Sequence, residues 1–141
     1  DIDHFKLYND HYGHLAGDEC LIALAECMQG HLGSQLFLVA RTGGEEFSVL
    51  LPEISLEAAI DKAESLRSTI QERALPHATS PTANCVTVSI GVASCHPTTL
   101  NDPTALMQAA DQALYRAKES GRNQVKANPA SQHEPSTTSS N

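Results

Sequence analysis

Arg41-Thr42-Gly43-Gly44-Glu45-Glu46-Phe47 stands between two apolar runs, Leu36-Phe37-Leu38-Val39-Ala40 before it and Phe47-Ser48-Val49-Leu50-Leu51 after it. Two strand-like runs joined across Gly-Gly-Glu-Glu read as a β-hairpin. Glycine at a hairpin tip supplies positive φ and lets the backbone come close to a bulky group, which makes Gly43 and Gly44 candidate ligand contacts. Two carboxylates directly after such a tip are costly, because each makes the other harder to ionise. A cation or a phosphate-bound metal would remove that conflict. A solvent-exposed acidic turn would tolerate it. The turn by itself leaves both readings open.

The chain has 141 residues, enough for one domain with a core of its own. It is 40% hydrophobic and 18% charged, ordinary for a soluble protein. A net charge of -8 argues against nucleic acid and against an anionic membrane surface as partners. An acidic protein that handles a phosphorylated ligand then needs local cations or Mg²⁺. No apolar run approaches the ~20 residues of a membrane span, and there is no signal-peptide pattern. Cys20, Cys27, Cys85 and Cys95 form no CxxC pair. Cys20 and Cys27 are seven apart on a helical pattern and are expected to face one side as small apolar residues. A reduced chain in the cytoplasm is the expectation. The chain opens at Asp1 rather than Met, which reads as a piece of something longer.

Taken in order, Asp1 is expected at the end of a strand whose body lies upstream. Leu7 to Tyr12 reads as one or two helical turns ending at Gly13. Asp18 stands where an N-cap should stand. Behind it Leu21, Ile22, Leu24, Ala25, Met28 and Leu32 recur at helical spacing, with Gly30 and Gly33 marking the end. In the hairpin that follows, the first strand is apolar on both faces, as in a covered strand, and Pro52 ends the second. Ser55 is a plausible N-cap for a helix with Leu56, Ala59, Ile60, Ala63, Leu66 and Ile70 along one stripe and Glu57, Asp61, Glu64 and Arg67 off it. Residues 76–84 read as a loop. Cys85 to Val92 alternates at period two, a strand with one apolar face. Asp102-Pro103 is an N-cap followed by proline at the first helical position. That helix runs to about Ser120, with Leu106, Met107, Ala110, Ala113, Leu114 and Ala117 inward, and Gly121 closes it. Gln124-Val125-Lys126 is a candidate last strand. Residues 127–141 are Ser, Thr, Pro, Asn and Gln without apolar periodicity and read as a disordered tail or linker. One strand pair forms a hairpin while the other strands alternate with helices, which implies an α+β or α/β sandwich with helices packed on a mixed sheet.

Four clusters are candidates for chemistry: Asp1-x-Asp3 at a strand end; the stretch from Phe5 through Lys6, Asn9 and Asp10 to His14 and Asp18; Glu45-Glu46; and Lys118 with Arg122. Each has a plain structural reading as a solvated turn, a capped helical joint, an acidic turn or cations complementing a helix C-terminus. Together they read differently. Asp1 and Glu45 at the ends of one sheet suit Mg²⁺, which takes hard oxygen ligands and keeps its phosphates. Lys118 and Arg122, four apart on one helical face, suit a polyphosphate. Asn9 and Asp18 offer an amide and a carboxylate, and a carboxylate accepting from N1–H and the N2 amine is a natural guanine reader. Metal, phosphate clamp and base reader describe a nucleoside triphosphate site.

At these residues the sequence resembles the diguanylate cyclases of the GGDEF family, in the GGEEF variant. The matching pieces are Asp1-Ile2-Asp3-His4-Phe5-Lys6, Asn9-Asp10, Gly13-His14, Gly17-Asp18, Arg41-x-Gly43-Gly44-Glu45-Glu46-Phe47, Val88-Ser89-Ile90-Gly91-Val92-Ala93, Ala110-Asp111-x-Ala113-Leu114-Tyr115-x-Ala117-Lys118 and Gly121-Arg122-Asn123, in family order over residues 1–126. The resemblance implies a palm-like fold shared with nucleotidyl cyclases and condensation of two GTP into cyclic di-GMP with release of two pyrophosphates, by a homodimer whose two sites face each other. It implies that Asp1, the Ile2 carbonyl and Glu45 bind Mg²⁺, with Mn²⁺ as a substitute and Glu46 as a nearby acidic ligand. Glu45 is then also the general base, and Lys6 stabilises charge on the transferring phosphate. Asn9, His14 and Asp18 contact the nucleoside, and Lys118 and Arg122 hold the terminal phosphates.

The resemblance further implies an upstream Asp-x-Leu-Thr-Gly-Leu-x-Asn-Arg segment and strand, so that residues 1–126 form a catalytic domain lacking its first helix and most of its first strand. Stable folding and turnover are expected to need that strand. An upstream sensor or receiver domain is expected in the parent protein, whether or not that protein is anchored to a membrane. Where many members carry an Arg-x-x-Asp product-inhibition site, this chain has Ser34-Gln35-Leu36-Phe37, so no feedback inhibition is expected there. Two alternatives remain: a catalytically silent GTP-binding or dimerisation module, against which the intact Asp1, Glu45, Glu46, Lys118 and Arg122 argue, and a cyclase with altered base choice, against which Asp18 argues.

Overall fold

Gly13 decides where the first two helices divide. The computed structural model describes residues 1–32, 38–41, 43–95 and 103–129. Helix α1 (Phe5–Tyr12) stops at Gly13, whose φ of 90° suits glycine alone. Helix α2 (His14–Leu32) starts directly after it. Because Gly13 already makes the break, no second cap is needed, and Asp18 lies inside α2 on an exposed face rather than at its start. Gly30 also lies within α2, where a Cβ would meet nothing within 4 Å, and Gly33 is outside the described residues. Cys20, Leu21, Leu24, Cys27, Met28 and Leu32 are buried. Ile22, expected inward, is 59% exposed. It follows Leu21 by one residue and precedes Leu24 by two, which turns it to the opposite side of the helix.

Strands β1 (Leu38–Arg41) and β2 (Phe47–Leu50) form the antiparallel hairpin, paired from Leu38↔Leu50 to Arg41↔Phe47. The left-handed backbone expected at the tip is not found at Gly44, where a Cβ would instead stand in open space. The covering of the first strand, and Leu36 and Phe37, fall outside the described residues. Helix α3 (Leu56–Glu72) is capped as expected, with the Ala58 N–H donating to Ser55 Oγ at 3.1 Å. Ala59, Leu66 and Ile70 are its buried stripe.

Strand β3 (Ile90–Ser94) runs parallel to β4 (Val125–Pro129), and helix α4 (Pro103–Glu119) makes the crossover that parallel pairing requires. Pro103 opens α4 as expected, while Asp102 is outside the described residues. Ala113 and Ala117 are buried, but Met107, also expected inward, is 46% exposed. The strand β4 continues through Ala127 to Pro129, so the first residues of the stretch read as a tail belong to the sheet; residues 130–141 are outside the described residues. An antiparallel pair (β1–β2) and a parallel pair (β3–β4), with helices packed against them, give the α+β architecture expected, as two small sheets among the described residues rather than one mixed sheet.

The stretch Cys85–Ser89 departs most from its reading. Alternation was expected to give one apolar face, yet all five residues are buried, the polar ones included. Val86 and Val88 enter the core with Ile2, Phe5, Leu24, Met28, Leu66 and Ile70. On the other face, Thr87 Oγ1 donates to Asp3 Oδ2 at 2.8 Å and Ser89 Oγ to Asp3 Oδ1 at 2.6 Å. The Asn123 N–H completes the set at 3.0 Å. Asp3 is 2% exposed, so its charge is balanced by these donors rather than by water. Residues 1–3 lie against this stretch: the Asp1 nitrogen donates to the Ser89 carbonyl (3.1 Å), and the Asp3 N–H to that of Thr87 (3.0 Å). The Ile2 N–H donates to the Glu45 carbonyl at 3.3 Å, stitching this strand to the hairpin tip.

Gly91 continues the face of Thr87 and Ser89 against α4, where a Cβ would lie 2.2 Å from the Ala110 carbonyl oxygen and 2.4 Å from the Leu114 nitrogen. Gly91→Ala is therefore expected to cost about 3 kcal/mol, since helix backbone must move; an unchanged urea midpoint would contradict this packing. Asp3→Ala, which leaves two hydroxyls and an amide buried without their acceptor, is expected to lose about 3 kcal/mol or more, and Asp3→Asn clearly less, since one oxygen acceptor remains. Equal losses in denaturant titrations of the two would show that the acceptor oxygens are not what matters.

Candidate functional site

The strand end, the start of α1, the hairpin tip and the end of α4 converge on a cleft of about 180 Å³. Asp1, Ile2, Lys6, Glu45, Lys118 and Arg122 all line it, so six of the expected site residues come together. A larger hollow of about 610 Å³ lies between α4 and β4. It contains none of the expected residues, and its Arg116 is engaged with the Ala127 carbonyl (2.8 Å) and Asn128 Oδ1 (2.6 Å) of β4.

Period-two alternation sets the roles in Asp1-Ile2-Asp3. Ile2 points into the core at 2% exposure, while its neighbours take the other side. The Asp1 side chain is 8% exposed and is held by Lys118 Nζ at 2.8 Å. Lys118 was expected at terminal phosphates; it is in the cleft, paired with the expected metal ligand. After Asp3 the backbone turns left-handed at His4, φ 55°. His77, fully buried in the stretch read as a loop, fixes that turn: its Nε2–H donates to the His4 carbonyl at 3.1 Å, and its ring stands edge-on to Tyr8 at 5.2 Å. His77 Nδ1 is buried without a partner, consistent with the tautomer protonated at Nε2. The His4 ring meets Thr82 Oγ1 at 3.0 Å, and burial, then the nearby Arg122 charge, hold it below the usual histidine pKa. This turn launches α1 with Lys6 exposed at the cleft. At the other side, Gly121 (φ 115°) is followed by Arg122 and Asn123, both also left-handed.

Asn9, His14 and Asp18 form a second group, at the joint of α1 and α2, and do not line the cleft. Gly17 exists for close approach there: a Cβ on it would lie 1.7 Å from Asn9 Oδ1. That oxygen is buried and has no hydrogen-bond partner. His14 and Asp18 are exposed, four apart on one face of α2. Glu46 does not line the cleft either; its carboxylate lies against Gly43. Ser34 and Phe37 are outside the described residues.

Among the described residues no three His, Cys, Asp or Glu side chains converge as a metal cage. Three carboxylates line the cleft; Asp3 is taken up by Thr87, Ser89 and Asn123, which leaves Asp1 and Glu45, with the Ile2 main chain beside them. That set does not suit a closed Zn²⁺ site. It fits Mg²⁺, which is held by one or two carboxylates and completed by water and phosphate. Thr87 and His77 shape the site but were not singled out from sequence, and Ser89 and Asn123, within the quoted family pieces, were given no role there. The one available signal was the pair of hydroxyls at i and i+2 opposite an Asp-x-Asp strand.

The family model "Diguanylate cyclase, GGDEF domain" matches residues 1–124. The diguanylate cyclase DgcP of Pseudomonas aeruginosa is 43% identical over 125 residues, covering 89% of this chain and 18% of that protein. Among solved structures, the active GGEEF domain of a diguanylate cyclase from Vibrio cholerae superposes with a TM-score of 0.77 at 37% identity, over 90% of this chain and 78% of that one. The GGDEF domain of DgcB from Caulobacter crescentus, in complex with c-di-GMP, gives a TM-score of 0.77 at 34% identity, over 90% and 73%. The chain spans well under half the length of the curated relatives it matches. With a family match across nearly all of the described residues and the GGEEF turn at the cleft, this chain belongs to the GGDEF-domain family of diguanylate cyclases.

Proposed function

We propose that this domain condenses two GTP into cyclic di-GMP with release of two pyrophosphates, each protomer of a homodimer holding one GTP. The observation that carries the reading is the convergence of Asp1, Ile2 and Glu45 with Lys6, Lys118 and Arg122 in one cleft. Carboxylates and three cations in one cleft match a metal-bound triphosphate. Asp1, the Ile2 carbonyl and Glu45 would hold Mg²⁺, or Mn²⁺, which when bound polarises the phosphates and neutralises their charge. The 3′-hydroxyl oxygen of one GTP attacks the α-phosphorus of the other, the bond to the pyrophosphate oxygen breaks, and the hydroxyl proton passes to the Glu45 carboxylate. The same step in the opposite sense closes the ring and releases the second pyrophosphate. Lys6 offsets charge on the phosphoryl group in flight. Arg122 takes terminal phosphate oxygens, and Lys118 exchanges Asp1 for them. Asn9, His14 and Asp18 receive the nucleoside at the helical joint, with Gly43 and Gly44 giving the nucleotide room at the hairpin tip. The domain would serve in the cytoplasm as the output of an upstream sensor or receiver domain.

Incubation of the full-length protein with GTP and Mg²⁺ is expected to yield cyclic di-GMP by anion-exchange chromatography, with specific activity rising with protein concentration as dimers form. Absence of product at every concentration would instead support a silent binding module. Glu45→Gln is expected to reduce kcat by about 10³-fold while leaving the melting temperature unchanged; turnover within a few-fold of the parent would remove Glu45 from the chemistry. Asp18→Ser is expected to relax the preference for GTP over ATP by about a hundredfold, because the guanine N1–H and N2 amine lose their acceptor. A preference that survived this change would take base reading away from Asp18.

A further inference from the structure

The turn that carries Arg122 is strained, and it is held from outside the cleft. Arg122 and Asn123 have φ values of 63° and 47°, two consecutive non-glycine residues in the left-handed region. Such conformations persist only where the surroundings over-determine them. Part of the restraint is local: the Arg122 N–H donates to the Ala117 carbonyl, and Gln124 Nε2 to that of Arg122, each at 3.0 Å. The rest comes from α3. Arg67 Nη1 donates to Asn123 Oδ1 at 2.8 Å and to Gln71 Oε1 at 2.9 Å, and Asn123 Nδ2 donates to the same Gln71 oxygen at 3.2 Å. The three side chains close a ring. A second edge of the guanidinium is gripped by Glu64, and the Arg67 side chain is only 15% exposed. Glu64 is 53% exposed, and a surface ion pair of that kind gives no reason for the guanidinium to reach Asn123. The planar five-donor fork of arginine can serve Glu64, Gln71 and Asn123 together, as an ammonium cannot.

We propose that Arg67, acting through Asn123, is a positioning residue for nucleotide binding: it fixes the left-handed turn that presents Arg122 to the cleft. The Asn123 N–H, which donates to Asp3, ties the turn to the strand independently of Arg67. This inference rests on the reading that Arg122 takes terminal phosphates, and it adds a remote residue on α3 to the machinery of that clamp.

The test uses the full-length protein and a fluorescent N-methylanthraniloyl derivative of GTP titrated with Mg²⁺ present, together with amide hydrogen exchange at residues 122–124. The variants are Arg122→Ala, Arg67→Ala and Asn123→Gly. The last keeps a residue at ease with positive φ and keeps the backbone N–H to Asp3, but removes the amide that meets Arg67. Arg122→Ala is expected to weaken binding about tenfold, and each of the other two severalfold with faster exchange in the turn. Adding Arg67→Ala to Arg122→Ala should weaken binding no further. Effects that multiply in the double variant, or unchanged binding and exchange in Asn123→Gly, would overturn the proposal; Asn123→Gly decides the matter if Arg67→Ala does not fold. The two possible failures are distinct. If Arg122→Ala leaves binding unchanged, the phosphate assignment falls and this proposal falls with it. If Arg122→Ala weakens binding while Arg67→Ala and Asn123→Gly do not, only this proposal falls.

Discussion

The buried carboxylate of Asp3 is the constraint on which the site depends. It accepts from Thr87, Ser89 and Asn123, three donors from parts of the chain remote in sequence. Removing a carboxylate from water is costly unless its oxygens are satisfied, and each of these donors would in turn be orphaned without it. The arrangement therefore holds as a whole or not at all. Two residues earlier on the same side of the strand stands Asp1, and directly before Asn123 stands Arg122. A single desolvated group thereby sets the separation between a metal-type ligand on the strand and a cation on the turn after α4, while Ile2 anchors the strand from the core side.

The charge distribution follows from that frame. A chain of net charge -8 brings Lys6, Lys118 and Arg122 to one small cleft. Asp3 is satisfied internally, and Asp1 is paired with Lys118 at 2.8 Å. Glu45 is positioned by backbone, since its carbonyl accepts from the Ile2 N–H. A site of this kind is balanced before any ligand arrives. On the proposed reading it would take a metal and a polyphosphate together, each offsetting part of the other's charge.

Much of this was legible in the sequence wherever the signal was local. Ser55 as a cap, Pro103 at a helix start, Gly13 and Gly121 as stops and the hairpin around Gly43-Gly44 follow from the chemistry of one or a few residues. Periodicity failed where it had to choose among sides. Ile22 and Met107 were set inward with their apolar neighbours, although the helices bury narrower stripes. At Cys85–Ser89, alternation showed that one face is polar but not what that face meets; it meets Asp3, not water. Asp18 has the residue type of a cap, but Gly13 had already ended the preceding helix. Arg67 stands off the apolar stripe of α3 among Glu57, Asp61 and Glu64, where composition suggests a solvated face. Its partner Asn123 lies 56 residues away, and no local pattern reports a contact of that range. His77 is a similar case, a single polar residue in a loop whose partner, His4, is 73 residues distant.

The separation of the expected residues into two groups has a simple geometric consequence. Lys6 at the cleft and Asn9 at the helical joint are three residues apart on α1, on one face and about 4.5 Å apart along the axis. A nucleoside triphosphate has its charge at one end and its base at the other, so a reader of both must hold two contact sets at fixed separation. On the proposed reading α1 is the spacer. Its far end is set by Gly13 and by the close approach of Asn9 to Gly17. Its near end is set by the left-handed turn at His4, which the fully buried His77 holds through the His4 carbonyl. A shift of that carbonyl would move Lys6 and Asn9 together, keeping their spacing while displacing both from Asp1 and Glu45. On the proposed reading, registration between base contacts and phosphate contacts is therefore a property of the helix, and the His77–His4 carbonyl bond, with the Ala78 N–H to the Tyr12 hydroxyl (2.9 Å) and the buried Phe5, registers that helix against the rest of the fold.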